Sequence, residues 1–335
     1  MPTERVPKGV TAERFRGAAA LPMLVAVLAT TLTLSARSAE GRQPPLTALV
    51  IAPDGRSVVA GSQDGIQVYS WPELQFQRTI ATQAVNLQAL AFSPRGDRLA
   101  IGGGLPAEQG LVEVISWPDG QRLRTFRKHE DSVMAVAWKD ATTLASGGLD
   151  HRVFLWSLSA TSETPPLRLA GHSRGVTSLC FIDHGKLLVT AGLDQSVRVW
   201  DTQDGSLRRT LAIHTQPVRA LVPLTSPQGT LPLVVSASDD RTLRLWQPTI
   251  GRMVRLVKLD QPPLNVIGLR EGATMAAACA DGRVYFVDTA TVRVIGSVPA
   301  IDGWPYAMAE SPDDDALIIA GEDGQIRRVD LPVLE

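Results

Sequence analysis

The stretch "TAGLDQSVRVWDTQDGSLRRTLA", residues 190–212, is the most regular part of this chain of 335 residues. Asp194 opens a tight turn, and the alternating run that follows ends at Trp200 and Asp201. Alternation with a period of two, together with many β-branched residues, indicates a strand. A further run, Leu207–Leu211, lies beyond another turn and predicts a second strand. The stretch therefore predicts β structure with short turns.

The same pattern recurs along the chain. Apolar alternation, a turn, a second apolar run, small residues, a turn with Asp and a third run repeat at intervals of 41 to 46 residues. Turn formers such as "APDG", "SPRGD" and "SPDDD" separate the first two strands of a unit. The seven units begin at Leu46, Leu87, Val133, Val176, Val218, Leu264 and Pro305. Units of this length with four antiparallel strands predict an all-β fold, a seven-bladed β-propeller.

The body of the chain, about residues 46–332, resembles the WD-repeat (WD40) β-propeller family. A repeat of that family carries a Gly-His near its start, a Ser or Thr in the second strand, an Asp in the next turn and a Trp in the third strand. Three units match it, with His129, Ser146, Asp150 and Trp156; His172, Thr190, Asp194 and Trp200; and His214, Ser236, Asp240 and Trp246. The resemblance implies that each set forms a buried chain of hydrogen bonds. Only His172 also keeps the preceding Gly.

The outer units keep the Asp of the turn but lose its partners. The Asp residues are Asp64, Asp281 and Asp323, the hydroxyl positions hold Ala60, Ala277 and Ile319, and two Trp positions hold Val287 and Val329. These blades are therefore expected to rely on apolar packing. The segment "GGGLPAEQG" interrupts the second unit and predicts a lengthened hairpin.

The matched residues include the residue types of a hydrolytic triad. His172, Asp194 and Thr190 supply an imidazole, a carboxylate and a hydroxyl. A nucleophile is expected once in a chain, beside an oxyanion site, whereas this set recurs from unit to unit. In a buried polar chain each unpaired member costs about 1–3 kcal/mol, so a complete chain stiffens its surroundings. We therefore interpret these residues as structural and predict no catalytic residue.

The first 38 residues differ in composition from the rest. Basic residues precede the uncharged run "GAAALPMLVAVLATTLTLSA", a pattern typical of a secretory signal peptide cleaved after Ser38. The apolar run at 18–34 also approaches the length of a short membrane anchor, and a buried helix is a third alternative. A cleaved signal peptide predicts a secreted or periplasmic protein. An uncleaved anchor predicts a protein whose only membrane contact is residues 18–34. A short linker over 39–45 and the propeller over 46–335 would follow.

Charge and cysteine content exclude several classes of partner. The net charge of −1, from 33 basic and 34 acidic residues, supplies no basic field for nucleic acid. Cys180 and Cys279 lie in apolar runs far from any CxxC spacing and are predicted to be free buried thiols. The acidic run "DDD" lacks the spacing of a calcium loop, and no phosphate loop is present, so we predict no metal or cofactor.

The last unit ends just past its third strand. Gly41 and the pair "PP" weaken any strand contributed from upstream. Blade seven is therefore predicted to be three-stranded, or to carry a ragged fourth strand from Arg37–Gln43 or Pro332–Glu335.

The loops before each unit are expected to lie on one rim of the ring. In "IDGWPY", Trp304 stands in a loop where no core position requires an indole. It is the main candidate anchor for a partner, and the alternative is that it covers the channel or packs on blade seven. Further candidates are Glu130, Asp131, Arg174 and Arg219. The sequence thus favours a non-catalytic scaffold that binds a protein or peptide through its rim loops, with a propeller enzyme or small-molecule binder at the channel mouth as the alternative.

Overall fold

The structure is a computed structural model. Its described residues belong to one compact unit that begins at Gln43. Within them no helix is long and apolar enough to cross a membrane. The predicted signal or anchor lies outside the described residues, which are 43–159, 165–225, 230–313 and 315–331.

The described residues form seven antiparallel sheets, six of four strands and one of three. In every sheet the strands are neighbours in chain order. Blade one is β1 (Ala48–Ile51), β2 (Ser57–Ser62), β3 (Gly65–Ser70) and β4 (Phe76–Ile80), and blade two is β5 (Ala89–Phe92), β6 (Arg98–Leu105), β7 (Gln109–Ser116) and β8 (Arg122–His129). Blade three is β9 (Val133–Trp138), β10 (Thr143–Gly148), β11 (Val153–Ser157) and β12 (Leu167–Leu169), and blade four is β13 (Val176–Ile182), β14 (Leu187–Gly192), β15 (Val197–Asp201) and β16 (Leu207–Leu211).

Three blades complete the ring. Blade five is β17 (Val218–Leu224), β18 (Leu233–Ser238), β19 (Thr242–Gln247) and β20 (Arg252–Lys258). Blade six is β21 (Pro263–Leu269), β22 (Thr274–Cys279), β23 (Arg283–Asp288) and β24 (Arg293–Pro299). Blade seven is β25 (Pro305–Glu310), β26 (Ala316–Gly321) and β27 (Ile326–Asp330). Short 3-10 turns lie at Asp183–Gly185, Arg270–Gly272 and Glu322–Gly324.

The first strands of the blades form a closed inner ring. Each first strand contacts the first strand of the next blade, and β25 contacts β1. Between blades four and five, Thr177 Oγ1 donates to the carbonyl of Val218 at 2.6 Å, and the N–H of Leu221 donates to Ser178 Oγ at 3.0 Å. The predicted all-β, seven-bladed propeller is confirmed.

The apolar core lies between neighbouring blades. Trp200, only 1% exposed, shares a cluster with Ala145 and Leu155 of blade three. Trp71 of blade one and Ile318 of blade seven share another cluster. Burial of a large apolar side chain contributes about 1.5–3 kcal/mol. The last and first blades are therefore joined by the same kind of packing that joins consecutive blades.

Arginines on three outer strands add polar ties between blades. Each donates to a carbonyl in the turn between the third and fourth strands of the next blade. The contacts are Arg78 Nη2 to Pro118 at 2.6 Å, Arg124 Nη2 to Leu158 at 3.2 Å and Arg209 Nε to Thr249 at 3.1 Å. These ties were not predicted from the sequence.

Blade two carries the lengthened hairpin that its sequence predicts. Strands β6 and β7 have eight residues each and pair as far as Leu105 and Gln109.

Blade seven has three strands among the described residues. A fourth strand from Arg37–Gln43 or Pro332–Glu335 stays a prediction, because only Gln43 of these residues is described. Gln43 lies beside Gly324, whose φ of +70° and close contact leave no room for a Cβ. The N–H of Leu46 donates to the carbonyl of Gly321 at 3.0 Å. The chain therefore reaches β1 along blade seven.

Candidate functional site

Two kinds of connection meet at one end of the ring, which we call the first rim. They are the loops that lead into each inner strand and the hairpin turns between the second and third strands. They meet because consecutive antiparallel strands return the chain to the same end at every second turn. The matched Asp residues stand in the hairpin turns, and His172 and His214 stand in the incoming loops. His129 is the last residue of β8, where the loop begins. The hydroxyl and the Trp of each set stand in the strands beneath.

The blade-four set forms one chain of hydrogen bonds. His172 Nδ1 lies 2.9 Å from Asp194 Oδ2, and His172 Nε2 lies 2.7 Å from Thr190 Oγ1. Trp200 Nε1 donates to the same Thr190 oxygen at 2.8 Å. Since the Asp194 carboxylate only accepts, His172 Nδ1–H donates to it, and in the neutral imidazole Nε2 then accepts the hydrogen of the Thr190 hydroxyl. Every side-chain polar atom of this hydrogen-bond chain has a partner.

Blades three and five repeat this geometry. In blade three the distances are 3.0 Å from His129 Nδ1 to Asp150 Oδ1, 2.8 Å from His129 Nε2 to Ser146 Oγ and 2.8 Å from Trp156 Nε1 to Ser146 Oγ. In blade five they are 2.7 Å from His214 Nδ1 to Asp240 Oδ2, 2.7 Å from His214 Nε2 to Ser236 Oγ and 2.8 Å from Trp246 Nε1 to Ser236 Oγ. The three hydroxyl residues, Ser146, Thr190 and Ser236, are 0% exposed, so no substrate can reach them in this conformation.

The carboxylates of these chains also tie the loop to the hairpin turn. Asp194 accepts the N–H of Ser173 at 3.1 Å and the hydroxyl of Ser196 at 2.8 Å. Burial acts to raise the pKa of Asp194, but the hydrogen bonds from His172 and Ser196 outweigh it and hold that pKa below its usual range. The pKa values of Asp150 and Asp240 are lowered in the same way, against burial. Burial lowers the pKa of His214 despite its contact with Asp240, so this imidazole is held neutral.

Blade two ties its loop with a residue that the sequence analysis missed. Glu113, 1% exposed, accepts the N–H of Gln83 at 2.8 Å and the Nε–H of Arg122 at 3.0 Å. The carboxylate thus reaches the incoming loop from the third strand rather than from the hairpin turn. Its signal was available as a single Glu within the otherwise apolar run "LVEVIS".

A cavity of about 590 Å³ opens at the first rim along the ring axis. Every blade contributes its inner strand to the wall. Side chains at matching positions of the seven inner strands line it, namely Thr47, Gln88, Met134, Thr177, Arg219, Leu264 and Tyr306. Trp304 lies at the same opening and is 52% exposed. The volume is within the range of ligand pockets, about 300–1,000 Å³.

The candidate partner residues divide into two groups. Trp304 and Arg219 line the cavity, but Arg219 is held by a two-nitrogen ion pair with Asp239, the shorter contact being 2.7 Å. Arg174, Glu130 and Asp131 do not line it. Arg174 is exposed, Glu130 pairs with Arg152 at 2.6 Å, and Asp131 accepts the N–H groups of Ala107 and Ser132 at 2.9 and 2.7 Å.

The remaining chemistry-bearing residues form no second centre. Across the described ranges, no three His, Cys, Asp or Glu side chains come close enough to hold a metal ion. Cys180 and Cys279 are free and buried, as predicted, and burial raises the pKa of each thiol to about 12.

Fold and site together define a β-propeller whose central blades are tied by a chain of His, hydroxyl, Asp and Trp. The model of the WD domain, G-beta repeat, matches residues 120–157, 163–201 and 205–247, which contain the three complete chains. The chain therefore contains WD repeats over these three segments and resembles the WD-repeat family.

Curated relatives carry the same type of repeat. The chain is 29% identical over 195 residues to nuclear distribution protein PAC1 of Arthroderma otae, which covers 54% of this chain and 40% of the relative. It is 30% identical over 217 residues to a CCR4-associated factor 4 homolog of Candida glabrata, covering 56% of this chain and 36% of the relative. It is 26% identical over 295 residues to protein ROOT INITIATION DEFECTIVE 3 of Arabidopsis thaliana, covering 81% of this chain and 65% of the relative. The chain thus spans well under half the length of the first two relatives.

Proposed function

We propose that this protein is a non-catalytic platform that binds a protein or peptide partner at the first rim, around the mouth of the axial cavity. The observation that carries the proposal is the position of Trp304, about half exposed at the edge of that cavity. A large, partly exposed aromatic at the rim of a concave site is a favoured anchor for a protein partner. The stiff ring beneath it would keep the rim loops in place, which lowers the entropy lost on binding.

The residues of the cavity support binding more than chemistry. Its only ion pair among the described lining residues, Arg219 with Asp239, is already satisfied. The buried His–Asp chains have no route to a substrate, because their hydroxyls are fully covered. The relatives point the same way, since one is named an associated factor of another protein. A small-molecule site remains the alternative, and the volume of the cavity favours it.

Location is a separate proposal, which rests on the composition of residues 1–38 alone. We infer that this segment directs the propeller out of the cytoplasm, either as a cleaved signal or as an uncleaved anchor over 18–34. N-terminal sequencing of the protein from fractionated cells tests it. An intact Met1 on a protein found in the cytoplasmic fraction would refute both forms.

The platform proposal is tested by capture of partners on the purified full chain. Trp304→Ala is expected to lose at least one specific partner that the wild type retains, because the anchor is removed while the fold is intact. Phe76→Ala is the matched control, since Phe76 is 58% exposed on the outer strand β4, away from the rim. The partner lost is then expressed alone and its affinity measured by calorimetry. Equal affinity for wild type and Trp304→Ala would contradict the proposal.

A further inference from the structure

The first rim is divided electrostatically between the middle blades and the last two. In blades three to five most of its carboxylates face cations or imidazoles, as in the pairs Glu130–Arg152 and Asp239–Arg219, while Asp131 accepts backbone N–H groups. In blades six and seven the loops and turns of this rim, residues 259–262, 280–282, 300–304 and 322–325, contain no Lys or Arg. They carry Asp260, Asp281, Asp302, Glu322 and Asp323, and of these Asp302 pairs with Arg327 of β27 at 2.7 Å. This side of the cavity mouth is therefore acidic.

The loss of the polar chain explains part of this charge. Leu259 and Ile301 stand where the middle blades have His, and both are buried, at 2% and 5% exposure. Without an imidazole beneath it, the Asp281 carboxylate accepts instead the hydroxyl of Tyr285 at 2.8 Å and the N–H of Arg283 at 3.2 Å. The Asp of the turn thus stands exposed at the rim surface.

An aromatic pair stands within this acidic side. The rings of Trp304 and Tyr306 meet edge to face, with centroids 6.4 Å apart and an interplanar angle of 71°. Both line the cavity. The backbone N–H of Trp304 donates to Glu322 Oε2 at 3.3 Å, which fixes a carboxylate beside the Trp304 main chain. Gly303 permits this approach, because a Cβ there would lie 2.5 Å from the same Glu322 oxygen and its φ is +104°.

The negative charge also acts on the second ring. Burial raises the pKa of Tyr306, and the charges of Glu322 and Asp323 raise it further. The charges of two carboxylates therefore act on the Tyr306 hydroxyl. We call Trp304, Tyr306, Glu322 and Asp323 the acidic sector.

We propose that the acidic sector receives a lysine or arginine side chain of the polypeptide partner, with the cation against the Trp304 and Tyr306 rings and its charge balanced by Glu322. This inference rests on the proposed platform function and specifies the chemistry of the partner. A cation over an aromatic ring is attracted by the negative face of the ring, and a nearby carboxylate strengthens the attraction. An anionic side chain would be repelled, and an apolar one would cover Glu322 without replacing its lost hydration.

The test uses the full chain and short Gly-Ser peptides that differ only at one central residue. That residue is Lys, Arg, norleucine or Glu, and norleucine matches the Lys side chain without its charge. By calorimetry at low salt, the Lys and Arg peptides are expected to bind about tenfold or more tightly than the norleucine peptide, an advantage that falls towards physiological salt. No measurable binding of the Glu peptide is expected. Equal binding of Lys and norleucine peptides, or no binding of either at millimolar concentration, would overturn the inference.

Variants locate the effect. Trp304→Ala is expected to weaken the Lys peptide about fivefold or more. Glu322→Gln keeps an acceptor for the Trp304 N–H and is expected to weaken it about threefold, the range of a partly exposed ion pair. Asp204→Asn is the control, since it removes one negative charge in the turn between β15 and β16, at the opposite rim, and should leave the affinity unchanged. An equal effect of Asp204→Asn and Glu322→Gln would mean that only net charge is sensed, and would also overturn the inference.

The two proposals fail separately. If the captured partner depends on Trp304 but binds Glu322→Gln as tightly as wild type at every salt concentration, the platform stands and the acidic sector is wrong. If no partner depends on Trp304 while the Lys peptide binds through the sector, the platform proposal is wrong and the sector is a cation site of another use.

Discussion

Blades four and six have the same four-stranded sheet but fill its interior in opposite ways. In blade four, His172, Thr190 and Trp200 form a polar chain with every donor and acceptor paired. In blade six the equivalent positions hold Leu259, Ala277 and Val287, all of which are buried. These two blades thus hold their incoming loops in two ways, by a complete polar chain and by apolar packing, and an isolated member of the polar chain in an apolar blade would be left without a partner.

This difference also decides which blades are recognisable from sequence. The WD family model matches three segments, and each contains one complete polar chain. The other four blades have the same strand order but different interior residues. The family pattern therefore describes the hydrogen-bonded His, hydroxyl, Asp and Trp side chains, while the strand pattern is found in every blade of the ring.

Breaking the polar chain of blade four should give the largest effect. Thr190→Val removes the one oxygen shared by His172 Nε2 and Trp200 Nε1 and leaves both buried without a partner. Each unpaired buried group costs about 1–3 kcal/mol, so the free energy of unfolding should fall by about 3 kcal/mol in urea.

The same substitution at a partly exposed Thr is the control. Thr82 makes one side-chain hydrogen bond, to the carbonyl of Ala84 at 2.6 Å, and Thr82→Val should cost less than about 1 kcal/mol. If Thr190→Val cost no more than Thr82→Val, the polar chain would not be a stabilising element.

Placing one member of the chain in an apolar blade should give a smaller loss. Ala277→Ser creates in blade six the hydroxyl that blade five has at Ser236, but Leu259 and Val287 offer it no partner. The free energy of unfolding should fall by about 1–2 kcal/mol. The reverse change, Ser236→Ala, should also be destabilising, because the Trp246 indole loses its acceptor and His214 Nε2 loses its hydroxyl partner. A neutral Ala277→Ser would show that the two interiors are interchangeable residue by residue.

Much of the fold could be predicted because the decisive signals are local. The spacing from hydroxyl to Asp to Trp lies within one hairpin, as from Ser146 to Trp156, and the repeat length gives the number of blades. The inter-blade arginines were missed because each acceptor is a backbone carbonyl some 40 residues away, as between Arg209 and Thr249. A carbonyl carries no signature in the sequence.

The site was predictable only in part. Trp304 could be placed at the rim because its loop precedes an inner strand and no core position requires an indole. Arg219 was expected to be available to a partner, but it pairs with Asp239 across the turn that follows β18. That pairing depends on the register of two strands, which residue types alone do not reveal. The acidic sector likewise could not be predicted from the sequence, because Glu322 follows Trp304 by 18 residues yet accepts its backbone N–H in the folded protein.

Acidification should destabilise the middle blades before the apolar ones. Near neutral pH the loss in free energy of unfolding should be smaller than that caused by Thr190→Val or Ala277→Ser. Burial lowers the pKa of His214, and Arg244 beside it acts in the same direction. Below about pH 6.5 the His214 imidazole therefore binds a proton in the unfolded protein but stays neutral in the folded protein. The free energy of unfolding should decrease as the pH falls from there. The lowered pKa values of Asp150, Asp194 and Asp240 act in a second window, below about pH 4, where only the unfolded carboxylates are protonated and stability is again lost.

Urea unfolding across this pH range separates the two windows. His214→Gln should remove part of the slope between pH 7 and 5, whereas His184→Gln should not, because His184 is exposed in the 3-10 turn at the opposite rim. Asp194→Asn should lower stability at neutral pH, and its deficit against wild type should shrink as the pH falls below about 4, since protonation of Asp194 in the unfolded wild type then removes the stability that the charge contributes. A deficit that stayed constant down to the acid transition would mean that Asp194 contributes by shape and hydrogen bonding alone, and that the middle blades differ from the apolar ones without depending on ionisation.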